Sequence, residues 1–200
     1  MSLKKAYLLI FIVLVIDQIS KIYIKTNFVL GEVVNVFSWF EIRFIENEGM
    51  AWGTVIPGAY GKLILTVFRL FAVTGIGYWL WDCVKKKYSD YLIVAVALIL
   101  AGAFGNIIDS VFYGLIFNDS HGEVANLFSA NPYGTLFHGK VVDMFYFPII
   151  KDYPVPMWVP FMGGQEFTFF NAIFNVADAA ISIGVGILIL FNKKAFHHHE

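Results

Sequence analysis

Residues 91–112 read YLIVAVALILAGAFGNIIDSVF. One charge, Asp109, interrupts a run long enough to cross a bilayer as helix, which takes about 20 apolar residues for a roughly 30 Å hydrocarbon core. Three further runs of this kind extend from Ala6 to Ile24, from Gly61 to Val84 and from Asn171 to Phe191. The whole chain agrees with them. Of its 200 residues 58% are hydrophobic and 14% charged, where soluble domains have roughly 45–50% and about 25%. Soluble globular and disordered classes are therefore excluded. A net charge of −1 leaves no basic footprint for nucleic acid. The single cysteine, Cys83, excludes an internal disulfide framework and a multi-cysteine zinc site. No alternating pattern repeats as a β-barrel requires. The reading is one integral membrane domain over residues 1–200. It has an all-α membrane core of four transmembrane helices at about 6–24, 61–84, 91–112 and 171–191, and a small extracytoplasmic β-containing subdomain.

Lysine placement orients the helices. Lys4 and Lys5 precede the first span, Lys85, Lys86 and Lys87 join the second to the third, and Lys193 and Lys194 follow the fourth. Both termini are thus expected in the cytoplasm, with segments 25–60 and 113–170 outside. The first span carries Asp17 and Lys21 and lacks a small-x-small cleavage site, so it reads as a retained helix. Phe40-Glu41-Ile42-Arg43-Phe44 alternates as a half-buried strand does. The aromatics of Tyr153-Pro-Val-Pro-Met-Trp158 suit the headgroup level of a bilayer, and Phe37, Trp39 and Trp52 are candidate anchors there. His197, His198 and His199 carry no functional weight.

Ionisable groups inside spans are expensive, roughly 2.5–3.5 kcal/mol each, and each requires an explanation. Asp17, Arg69, Asp109 and Asp178 are such groups. At ~1.5 Å per residue, Asp17 lies near mid-membrane and Asp109 and Asp178 in the outer half. Asn106 and Asp109 are three apart, as are Asn175 and Asp178, so each acid shares a helix face with an amide. Asp17 and Lys21, four apart, can neutralise one another. Asp143 lies just outside, in the apolar stretch Val141-Val142-Asp143-Met144-Phe145. Two close carboxylates cannot both ionise; they share a proton, and the pair can activate water and protonate a leaving group. Spacing alone leaves open which acids pair, although span placement favours Asp109. Neither a His-Glu-x-x-His zinc pattern, a Gly-x-Ser-x-Gly motif nor a phosphate loop occurs, so no metal and no cofactor are expected. Gly102 and Gly105 read as close helix-packing positions.

Five blocks, taken together, resemble a known family. They are Asp17-Gln18-x-Ser20-Lys21, Asn47-Glu48-Gly49-Met50-Ala51-Trp52-Gly53, Gly102-Ala-Phe-Gly105-Asn106-Ile-Ile-Asp109, Val141-Val142-Asp143-Met-Phe145 and Phe174-Asn175-Val-Ala177-Asp178. In content and order they are similar to the lipoprotein signal peptidases, the type II signal peptidases of bacteria. The resemblance implies a membrane aspartic endopeptidase that cleaves prolipoproteins on the amino side of a diacylglyceryl-modified cysteine. It implies a catalytic dyad of Asp143 and Asp178, against the preference for Asp109. It assigns Asp17, Lys21, Asn47, Gly49, Asn106, Asp109 and Asn175 to supporting the site or holding substrate. It further implies the bacterial inner membrane, with the active site near the outer surface; contact with membrane lipid and a monomeric state are expected beside it. Two departures stand out. Ser110 occupies a position where the family usually has arginine, and segments Phe117–Gly139 and Tyr146–Asn171 are longer than the usual pattern. Readings from other classes are a proton-coupled transporter using the buried acids as a relay, and a non-catalytic assembly factor.

Overall fold

The computed structural model describes residues 1–48 and 60–196. Three helices in it are long and apolar enough to cross a membrane. Helix α1 covers Leu3–Lys25, α2 covers Gly61–Lys85 and α3 covers Asp90–Ile108. Ser2 and Ser89 cap α1 and α3, their hydroxyls accepting from Lys5 N and Leu92 N; serine oxygen thereby satisfies a first-turn N–H with no partner of its own in the helix. α3 runs on through a π-helical turn at Asp109–Tyr113 into the short helix α4, Gly114–Ile116. The apolar stretch Asp90–Ile116 is 27 residues long and stands among α1, α2 and α5.

The expected fourth span takes a different form. Helix α5 covers Val176–Leu190, only 15 residues, or about 22 Å of helix. Ile173–Phe174 form strand β6 instead of a helical turn, because Asn175 is extended at φ −122° and caps α5. A single turn, α6 (Asn192–Ala195), follows α5. Outward-facing Phe11, Phe68, Phe71, Ile189 and Leu190 are all more than half exposed. Apolar surface on this scale is tolerable against lipid and not against water.

The long connections between the helices fold largely as β structure. Strands β1 (Val33–Phe37), β2 (Phe40–Asn47), β3 (Val141–Tyr146) and β6 form an antiparallel sheet in the order β1-β2-β3-β6. The strand expected at Phe40–Phe44 is the first part of β2, but its strict alternation fails: Glu41 is buried, paired with Arg43 and Lys151. A register shift between Ile42 and Ile45 breaks the two-residue period and sets Ile45 opposite Asp143. Strands β4 (Ile150–Pro154) and β5 (Glu166–Phe169) pair as a separate hairpin.

Segment 117–139 has little regular structure but is tied to the core. Ser120 is fully buried, its carbonyl accepting from Leu30 N at 3.1 Å and its hydroxyl from Lys25 Nζ at 2.9 Å. Lys25 also pairs with Glu46, joining the end of α1 to β2. Gly139 lies against the π turn, donating from its N–H to Ser110 O at 2.9 Å. A side chain there would run into Asp109 O and come within 2.9 Å of Tyr113 N, so the position admits only glycine.

Candidate active site

The acids expected to form the site gather where α1, α3, β3 and the first turn of α5 meet. Asp143 lies in the middle of β3 and is 5% exposed. Its Oδ1 accepts from Asn175 Nδ2 at 2.7 Å, and its Oδ2 accepts from Asn47 Nδ2. Asp178 is half-buried in the first turn of α5. Its Oδ2 accepts from Asn175 N at 3.2 Å while its own N–H donates to Asn175 Oδ1 at 2.9 Å. Asn175 and Asp178 therefore form a reciprocal capping box, not merely two residues on one helix face.

Asn175 is the junction. Its backbone N–H serves Asp178 and its side-chain amide serves Asp143, Val142 O at 3.2 Å and Asn106 Oδ1 at 3.1 Å. Asn106 donates to Asp178 Oδ1 at 2.8 Å. Two amides thus hold the two carboxylates in fixed orientations. Asp143 lies outside the membrane-spanning segments, and its carboxyl is pushed up to about 7, by burial first and by the negative charge of Asp178 second. The nearby Lys21 and the donors of Asn175 and Asn47 oppose that rise without cancelling it.

Asp109 and Asp17 have different surroundings. Both are fully buried, and Lys21 Nζ lies between them, 2.8 Å from Asp109 Oδ2 and 3.0 Å from Asp17 Oδ2. Lys21 also donates to Asn106 Oδ1 at 2.8 Å. Asp109 Oδ1 accepts from Gln18 Nε2 at 2.9 Å, and Asp17 Oδ1 accepts from Ala177 N at 2.9 Å. Asp17 thereby supplies a second acceptor at the N-terminus of α5, where helix N–H groups favour an anion. The packing is close: a methyl on Gly105 would lie 2.6 Å from Asp17 Oδ2. Asp17 and Asp109 share one cation and are sealed from solvent, whereas Asp178 retains exposure.

Several participants, Gln18 and Lys25 among them, have no site role assigned from the sequence, where Arg69 stands out only as a charge inside a span and Ser110 only as a departure from the family. Gln18 ties Asp109 and Asp17 together and accepts from Tyr113 Oη at 3.1 Å. Lys25 completes a stripe with Asp17 and Lys21 at helical spacing, a signal that the sequence does carry. Ser110 donates to Asn106 O at 2.9 Å, within its own helix. Arg69, on α2, feels the negative charge of Asp178. Gly49 and Trp52 lie outside the described residues. Among the described residues no three His, Cys, Asp or Glu side chains are grouped as a metal ion would need.

Known proteins resemble this chain along most of its length. Residues 9–193 match the family model described as signal peptidase (SPase) II. A lipoprotein signal peptidase of Porphyromonas gingivalis is 48% identical over 184 residues, covering 91% of this chain and 80% of the relative. One from Amoebophilus asiaticus is 34% identical over 96% of this chain and 78% of its own length. A bacterial membrane enzyme solved by the in meso method at 2.3 Å resolution shares the fold, with a TM-score of 0.63 at 22% identity over 99% of this chain and 93% of that one. A match of this extent, together with the relatives' identity over nearly the whole sequence, is decisive: the chain belongs to the signal peptidase II family.

Proposed function

We propose that this protein is a membrane aspartic endopeptidase that removes signal peptides from prolipoproteins, cutting on the amino side of the diacylglyceryl-modified cysteine, with Asp143 and Asp178 as its catalytic pair. The family membership supports the activity. One observation carries the choice of residues: Asn175 bonds to both carboxylates, and these two acids are not the ones locked onto Lys21. With Asp143 held near 7, the pair carries one proton at neutral pH. The ionised member takes a proton from water as the water oxygen adds to the scissile carbonyl carbon. A proton then passes to the amine nitrogen as the C–N bond breaks.

The surroundings suit that substrate. A signal peptide is a short apolar helix, and the acyl chains of its modified cysteine stay in the outer leaflet. A pair seated where the spans meet the outer sheet reaches the bond between them and still obtains water. In this reading α5, extended by α6, is the fourth span. Both termini are cytoplasmic, the enzyme resides in the bacterial inner membrane and works as a monomer. Incubating the purified enzyme with a diacylglyceryl-modified prolipoprotein and its unmodified form tests the proposal. Mass spectrometry should find a new N-terminus at the lipidated cysteine only. Equal cleavage of the unmodified form, or none of either, overturns it.

A further inference from the structure

Arg69 lies about 12 Å along α2 from Gly61, well inside the apolar helix. Lys62, Thr66 and Arg69 recur at i, i+4 and i+7 and share one helix face. Lys62 is paired with Glu48, the neighbour of Asn47. Thr66 is 1% exposed, and its hydroxyl lies 3.5 Å from Phe137 O. This face of α2 is therefore turned toward the protein, and Arg69 is its next polar member, half-buried. Asp178 is the acid whose charge it feels.

Other cations on this side of the molecule are matched. Lys21 is held by Asp17 and Asp109, Lys25 and Lys140 by Glu46, and Arg43 by Glu41. Arg69 makes no hydrogen bond or ion pair among the described residues. A guanidinium carries five N–H donors and cannot shed its charge. Keeping such a fork open inside a span is costly unless something else fills it.

We infer that Arg69 is a substrate-binding residue, its guanidinium donating to a carbonyl oxygen of the lipid-modified substrate held opposite Asp178. This rests on the peptidase reading above. The carbonyl belongs to the peptide beside the scissile bond or to an ester of the diacylglyceryl group. Either gains a charge-assisted hydrogen bond, and a carbonyl that develops negative charge during attack gains more.

The test uses full-length enzyme in nanodiscs with two forms of one lipidated peptide, a diacyl ester and a dialkyl ether. Arg69→Ala should lower kcat/KM by about tenfold or more, as loss of a charged hydrogen bond does, without lowering the melting temperature. Arg69→Lys should restore part of the loss, and Arg69→Gln stands in if the alanine variant does not fold. Equal losses on both substrates identify the peptide carbonyl; a loss confined to the diacyl form identifies the ester. Activity within about twofold of wild type on both, below the effect of any charged hydrogen bond, overturns the inference. Asp178→Asn is assayed in parallel. If it stays active the dyad fails, and if wild type leaves the lipidated peptide intact the peptidase reading falls together with this one. Unchanged Arg69→Ala beside inactive Asp178→Asn defeats this inference alone.

Discussion

Ionising Asp143 should destabilise the folded protein, and replacing it should remove that pH dependence. The side chain is 5% exposed, and its carboxyl is raised from 3.8 to about 7 by burial and then by the charge of Asp178. A gap of roughly three units at 1.36 kcal/mol each amounts to about 4 kcal/mol. The sign follows from proton binding. Below pH 3.8 folded and unfolded chains both hold the proton, and there is no cost. Between that value and about 7 the folded state keeps a proton that the unfolded state has lost, so stability falls as pH rises. Above about 7 the whole cost is present. Asp143→Asn does not titrate. Its amide leaves one of the donors from Asn47 and Asn175 without an acceptor, a penalty of about 1–3 kcal/mol that is independent of pH. The diagnostic is therefore the slope and not the absolute stability. Melting curves of both proteins in detergent from pH 4.5 to 8.5 should show Asp143→Asn gaining on wild type as pH rises, by on the order of 10 °C. Parallel curves would mean that Asp143 ionises freely in the folded protein and that its burial carries no such cost.

Lys21→Met should cost about 3–5 kcal/mol, since it leaves two buried acids without their shared cation; unchanged thermal stability would contradict the ionic role given to Lys21. Gly105→Ala places a methyl 2.6 Å from Asp17 Oδ2 and should cost about 1–3 kcal/mol by overpacking. Gly75→Ala, where nothing lies within 4 Å, is the control, and equal melting temperatures for the two variants would count against the packing argument. Asn175→Ala should cost about 0.5–2 kcal/mol through the lost cap and reduce cleavage far more than that stability loss explains. Wild-type kcat at a temperature where the variant is folded would remove Asn175 from the site.

The first three helices were legible because hydropathy, lysine placement and length all agree within them. The fourth was read too long at its start. Ile173 and Phe174 are apolar enough to pass for helix, yet they pair with Tyr146 and Phe145, and hydropathy does not distinguish a sheet edge from a span. The Asn-x-x-Asp spacing at Asn175 carried the correction, since it is a helix-start signal as much as a helix-face signal. Asp143 is the harder case. A β-branched stretch locates a strand, but nothing local says that its acid faces the N-terminus of α5. That depends on the order of strands across the sheet, and only the family resemblance selected Asp143 over Asp109. The pairing of buried Glu41 with Lys151 and the link from Lys25 through Glu46 to Ser120 join segments far apart in the chain, and local patterning cannot report such contacts.

Asp143 and Asp178 as a catalytic pair are tested by single-turnover cleavage of a diacylglyceryl-modified prolipoprotein by wild type, Asp143→Asn and Asp178→Asn, each checked for folding by its melting curve. Removing either carboxylate leaves the other without its proton partner, so both variants should retain their fold and lose nearly all cleavage. A folded variant of either kind that cleaves at the wild-type rate would show that its missing carboxylate takes no part in catalysis.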